Sequence, residues 1–137
     1  MEPGKKIVLA DDEAQLALAV KIRLQSRGYQ VVMASDGRQA LEMIEREKPD
    51  LMLLDVVMPV MDGYFCLREI NQRFGRGKIP VIILTARDRM KELFELEGIA
   101  DYLVKPFDHE DLIIRIERVL KKRADTAAAK PPIAPAS

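Results

Sequence analysis

An α/β fold, with an open five-stranded parallel sheet and helices on both faces, is what this sequence predicts. Three observations carry it. Five short apolar runs recur along the chain, they lack the apolar/polar alternation of half-exposed strands, and stretches of helical period separate them. Strands covered on both faces in regular alternation with helices require right-handed crossovers and a parallel sheet.

The strands are read at Ile7 to Ala10, Val31 to Ala34, Leu51 to Leu54, Val81 to Leu84 and Tyr102 to Val104. Between them, Leu16, Val20 and Leu24 mark the stripe of a first helix. Ala40, Leu41 and Ile44 mark a second, and Leu67, Ile70 and Phe74 a third. The last helix opens on Asp108 and Asp111, a capping-like pair, and places Leu112, Ile116, Val119 and Leu120 on one face. It is expected to end near Arg123. From Ala124 the composition changes to ADTAAAKPPIAPAS, so residues 1–123 are read as the folded domain and 124–137 as an Ala/Pro-rich flexible tail or linker.

The 137 residues suffice for one core, and 48% hydrophobic against 32% charged residues is globular composition. Lysine plus arginine (22) balance aspartate plus glutamate (22), which disfavours direct nucleic-acid binding. A single cysteine, Cys66, and a single histidine, His109, exclude an internal disulfide and a zinc cluster, and fit a reducing cytoplasm. No apolar run reaches the roughly 20 residues of a membrane span, and the N-terminal MEPGKKIVLA is too short in apolar residues for a secretory signal. Cys66 reads as a small core residue and His109 as a solvated surface residue. Met52, Met58 and Met61 read as core or loop filler, and Asp36–Gly37 and Asp62–Gly63 as turn and helix-start punctuation. The FGRG stretch at 74–77 lacks a phosphate-loop lysine.

In an open parallel sheet, ligands bind beyond the carboxyl ends of the strands. There the sequence puts Asp11 and Asp12 after the first strand, Asp55 at the end of the third, Thr85 at the end of the fourth and Lys105 after the fifth. Taken singly, each has an ordinary reading: a helix cap for the Asp pair, a turn residue for Asp55, a β-branched strand residue for Thr85, a half-buried core aromatic for Tyr102. Together, three convergent carboxylates call for a hard divalent cation, and Mg2+ suits an all-oxygen donor set. Lys105 offers a compact charge that can pair with Asp55 or with a phosphoryl oxygen, and Thr85 a hydroxyl donor. An aspartate beside a cation can act as nucleophile toward a phosphoryl group.

The segments VLADDE, LMLLDVVMPVMDG, VIILTA and DYLVKPF resemble, in order and approximate spacing over residues 5–123, the receiver domains of bacterial response regulators, chemotaxis-type receivers among them. The resemblance implies a flavodoxin-like doubly wound (βα)5 receiver fold, and a phosphoryl group donated to Asp55 by a histidine kinase or histidine phosphotransfer protein. It implies Mg2+ held by Asp12, Asp55 and the backbone carbonyl of Val57, with Asp11 acting mainly through a metal-bound water. It makes Thr85 and Tyr102 a switch pair that reshapes the face of the fourth helix, fifth strand and fifth helix, and it suggests a cis peptide before Pro106. It implies output through an unidentified downstream protein, and it allows a phosphorylation-dependent dimer.

Thr85 and Lys105 are 20 positions apart, about two fewer than the usual receiver spacing, which predicts an altered fourth helix. Val57 and Arg87 fall where the family tunes loss of the phosphoryl group; Val57 offers an attacking water no hydrogen bond, which predicts slow hydrolysis. Two rival functions remain at this level. A small-molecule phosphatase would need an acid two residues after Asp55, where Val57 stands. A binding module that has lost its chemistry would have no use for Asp55, Thr85 and Lys105 together.

Overall fold

The structure is a computed structural model that describes residues 4–56, 63–86 and 90–129, the last five by backbone alone. Five strands and five helices alternate: β1 Lys6–Ala10, α1 Ala14–Ser26, β2 Gln30–Ala34, α2 Gly37–Glu47, β3 Leu51–Asp55, α3 Gly63–Phe74, β4 Val81–Thr85, α4 Lys91–Leu96, β5 Asp101–Val104 and α5 His109–Ala129. All strand pairs are parallel, in the order β2-β1-β3-β4-β5. The parallel sheet is what the alternation predicted and the doubly wound order is what the receiver resemblance implied; its direction reverses between β1 and β3.

Every residue of β3 and β4 is buried, which is why their sequences run apolar without alternation. The sheet divides two apolar layers by its two-residue period. Ile7, Leu9, Leu53, Ile82, Leu84 and Leu103 face α1 and α5, whereas Val8, Met52, Leu54, Val81, Ile83 and Tyr102 face α2, α3 and α4.

The helices start where local chemistry starts them. Asp36 is extended and its carboxylate accepts from the Gln39 N–H, a side-chain N-cap, while Gln39 Oε1 accepts from the Ser35 N–H. Asp108 Oδ1 accepts from the Glu110 N–H at the start of α5. Asp111 instead receives Arg115, which also reaches Asp101 at 2.8 Å. The stripe of α1 is corrected: Ala17, Val20 and Leu24 are its buried residues, and Leu16 is only partly buried.

The last helix also departs from the expected end near Arg123, since α5 continues to Ala129. Residues 124–129 contain four alanines, the strongest helix formers, and the prolines that break the pattern begin only at Pro131. α4 has six residues, the shortest of the helices, in the region where the spacing predicted an alteration. No helix among the described residues is long and apolar enough to cross a membrane.

Gly63, the first residue of α3, lies on the backbone of β3. Its N–H donates to the Val56 carbonyl at 2.7 Å. A Cβ there would meet the Asp55 carbonyl oxygen and come within 2.7 Å of Val56 Cα. These are main-chain atoms that no rotamer change can move. Gly63→Ala is therefore expected to lower stability by about 2–3 kcal/mol, as overpacking does. Urea unfolding checks this, and an unchanged midpoint would show that α3 can lift off β3 freely.

Candidate phosphoacceptor site

Register levels the carboxyl ends of the central strands. Ala10 lies opposite Leu54, Asp55 opposite Leu84 and Thr85 opposite Val104, so Asp11, Asp55, Thr85 and Lys105 emerge on one edge. The two-residue period then sorts them. Asp11, Asp55 and Lys105 continue the rows of Leu9, Leu53 and Leu103, whereas Thr85 continues the row of Val81 and Ile83, the face that also carries Tyr102.

Oxygens of Asp11, Asp12 and Asp55 all lie within 4.8 Å of one another. Asp11 and Asp55 are buried and Asp12 is exposed. Hard carboxylate oxygens with an open side suit a Mg2+ ion that keeps several waters, so the residues present fit this metal. The Asp pair is no mere helix cap. Asp11 does use Oδ1 to accept from the Glu13 N–H at 2.9 Å, but its Oδ2 turns into the cluster. The residue preceding α1, Glu13, makes no side-chain cap.

Lys105 Nζ sits 2.9 Å from Asp11 Oδ2, 2.7 Å from Glu13 Oε1 and 3.4 Å from Asp55 Oδ2. The expected pairing with Asp55 is present, and Asp11 and Glu13 are the nearer partners. Glu13 is a site residue that the sequence motifs do not single out; the available signal is that it is the third consecutive acid of VLADDE. Burial by itself would lower the Lys105 pKa, but hydrogen bonds to Glu13 and Asp11 and the charges of Asp11 and Asp55 outweigh it and hold the pKa above the ordinary lysine value. The ammonium therefore stays charged at neutral pH.

Thr85 is fully buried at the end of β4, and its carbonyl accepts from the Lys105 N–H at 2.7 Å. The backbone that carries one functional side chain thus positions the next. Tyr102 is 8% exposed, with its ring 6.2 Å from that of Phe94. The Lys105–Pro106 peptide is cis. Val57, Arg87, Met58, Met61 and Asp62 lie outside the described residues. Cys66 is buried and its thiol points to the Gly37 carbonyl at 3.7 Å, a core position. His109 corrects the solvated reading, being partly buried beside Phe107 with Nδ1 enclosed.

Comparison with known proteins agrees with this geometry. The family model "Response regulator receiver domain" matches residues 7–117. A probable transcriptional regulator, ycf27 of Guillardia theta, is 41% identical over 126 residues, covering 89% of this chain and 48% of the relative. The alkaline phosphatase synthesis transcriptional regulatory protein PhoP of Bacillus subtilis is 37% identical over 127 residues, covering 91% and 52%. The chain spans about half the length of the curated relatives it matches. Among solved structures, the receiver domain of sensor histidine kinase PA1611 from Pseudomonas aeruginosa, with a magnesium ion coordinated in its active-site cleft, superposes with a TM-score of 0.78. It is 34% identical, over 86% of this chain and 98% of that one.

The ion cluster generates a pH prediction. A lysine whose folded pKa is raised stabilises the fold fully below its unfolded value of about 10.4, and that stability is lost as pH rises through the folded value. In metal-free buffer at pH 7, Lys105→Met is expected to cost about 3–5 kcal/mol, because buried Asp11 and Asp55 lose their cation. The gap from the unmutated protein should stay constant to about pH 10 and shrink above it. Urea titrations across pH check this, and a gap that closes near neutrality would contradict the raised pKa.

Proposed function

The chain belongs to the response regulator receiver domain family, and from that membership we propose that Asp55 accepts a phosphoryl group from a histidine kinase or histidine phosphotransfer protein. The domain is a phosphorylation-dependent switch rather than a turnover enzyme. What supports Asp55 most is its place: buried at the carboxyl end of β3, in one cluster with Asp11 and Asp12, and 3.4 Å from the Lys105 ammonium.

In this reading Asp12, Asp55 and the Val57 carbonyl would hold Mg2+, and Asp11 would act through water. The magnesium seen in the PA1611 receiver is a precedent for such a site. When bound, Mg2+ supplies positive charge that lets an anionic carboxylate and an anionic phosphoryl group approach one another. The remaining work falls to the chain. An Asp55 oxygen attacks phosphorus, an acyl phosphate P–O bond forms, and the P–N bond to the donor imidazole breaks with its electron pair returning to that ring. Lys105 moves from the carboxylates to a phosphoryl oxygen, and the Thr85 hydroxyl donates to another.

Withdrawing the Thr85 hydroxyl toward the phosphoryl group changes the packing of Tyr102 on the same sheet face, and the surface of α4, β5 and α5 is the output. Leu93, Leu96 and Val104 are exposed there, which gives that face apolar area for a downstream protein or a phosphorylation-dependent dimer. The transcriptional role of the relatives is a candidate output, exerted by parts beyond the stretch that they share with this chain. Balanced charge favours protein contact over direct nucleic-acid binding by residues 1–137, and a single, buried thiol suits a cytoplasmic setting.

Incubation with acetyl phosphate and Mg2+, followed by intact mass, is expected to add one phosphoryl group, and none to Asp55→Asn. An unmutated protein that gains no mass overturns the proposal. Because Asp12 is exposed and outside the Lys105 ion pairs, Asp12→Ala should leave metal-free stability within about 0.5 kcal/mol. Its Mg2+ affinity by calorimetry should nonetheless fall at least about tenfold, the effect of losing a direct carboxylate ligand to a hard cation; equal affinity would remove Asp12 from the ligand set.

A further inference from the structure

We propose that Tyr64, through Phe94 and Glu97, is a positioning residue for Tyr102, and so sets how readily the switch takes its phosphorylated arrangement. This rests on the reading above, in which inward seating of the Tyr102 ring accompanies phosphorylation. Tyr64 follows Gly63, the residue that packs directly on the Asp55 and Val56 backbone. Its ring meets Phe94 edge-on, with centroids 5.5 Å apart and planes at 82°. Phe94 in turn faces Tyr102 at 6.2 Å. Three rings thus run from α3 through α4 to β5, on the face of the sheet that Thr85 shares.

Phe94 is the single buried residue of α4 and is fully enclosed, so the seat of that ring is the seat of the helix. What fixes the seat comes from α3 and the turn after it. The Tyr64 hydroxyl donates to Glu97 Oε2 at 3.2 Å, Asn71 Nδ2 to the Glu97 carbonyl at 2.8 Å, and Arg76 to the Leu96 carbonyl at 2.6 Å. All three hold the carboxyl end of α4. Partial burial, with the Glu97 bond, pushes the Tyr64 phenol above its ordinary pKa, so the hydroxyl remains a donor at neutral pH.

A six-residue helix cannot hold its own place, since helices so short are marginal without tertiary contacts. In this structure the Tyr64–Glu97 bond exists together with an inward, buried Tyr102 packed on Phe94. Losing that bond frees Phe94 to shift, which removes part of the wall against which Tyr102 is seated. Tyr64 therefore favours the inward ring. A side-chain hydrogen bond worth about 0.5–1.5 kcal/mol corresponds to roughly a threefold to tenfold change in that equilibrium.

The test uses the full chain labelled with 3-fluorotyrosine, whose three tyrosines give separable fluorine resonances assigned by Tyr→Phe variants. Beryllofluoride with Mg2+ is titrated into the unmutated protein, Tyr64→Phe, Glu97→Ala, Glu97→Gln and the Tyr64→Phe/Glu97→Ala double variant. Tyr64→Phe keeps the ring, so its loss of urea stability should stay within about 0.5–1.5 kcal/mol, while its beryllofluoride midpoint rises roughly threefold to tenfold. Glu97→Ala should match it, the double variant should be no worse than either, and Glu97→Gln, which retains an acceptor, should behave as unmutated.

Unchanged beryllofluoride midpoints in both Tyr64→Phe and Glu97→Ala overturn the proposal, as do fully additive effects in the double variant. If the unmutated protein does not respond to beryllofluoride at all, the phosphoacceptor reading fails. The Tyr102 resonance without beryllofluoride then decides the coupling alone: a shift shared by Tyr64→Phe and Glu97→Ala supports it, and an unmoved resonance overturns it.

Discussion

Three carboxylates, from Asp11, Glu13 and Asp55, converge on the single ammonium of Lys105, and much of the molecule is arranged to make that contact possible. The partners come from the ends of three different strands or the loops that follow them, as far as 94 residues apart in sequence. Only a parallel sheet brings such ends to one level. The register does this residue by residue, with Ala10 beside Leu54, Asp55 beside Leu84 and Thr85 beside Val104. The apolar runs preceding each functional residue are therefore part of the site, since a slip of one residue would turn every side chain to the opposite face.

The cluster is deliberately underneutralised. Asp12 adds a fourth carboxylate that Lys105 does not reach, and the excess negative charge is what makes the edge attractive to a divalent cation and costly without one. Lys105 moderates that cost by holding two buried carboxylates, and in the proposed function it leaves them for a phosphoryl oxygen. Its longest contact, to Asp55, is the one that phosphorylation would replace, and its shortest, to exposed Glu13, is the one most weakened by water.

Much of this was legible beforehand, for identifiable reasons. Strands buried on both faces announce themselves as LMLL and VIIL, and the polar residue that stops each run marks the strand end within one position. The edge placement of Asp11, Asp12, Asp55, Thr85 and Lys105 follows directly from those ends. Glu13 was not legible, because its role depends on which way a long, exposed side chain turns after the chain leaves β1. Hydrophobicity ranks Leu16 above Ala17, whereas close approach of α1 to the sheet favours the smaller side chain, and Ala17 is the buried one. The end of α5 is hidden for the opposite reason: the composition changes at Ala124 while the structure does not, because alanine continues a helix readily.

Least legible was the way α4 is held, and there the shape of the fold explains more than the sequence pattern does. Six residues give no amphipathic period to read, and one buried phenylalanine is too little to specify a helix position. The missing specification is provided by α3, whose first residue rests on the Asp55 backbone and whose later side chains, Tyr64 and Asn71, grip the end of α4. Two routes therefore join the acidic edge to the fourth helix. One is the Thr85 route of the proposed switch, the other runs through the start of α3, which packs on the Asp55 and Val56 backbone. A glycine is required at position 63 for the second route, because only contact without a side chain lets α3 sit directly on the backbone of Asp55 and Val56.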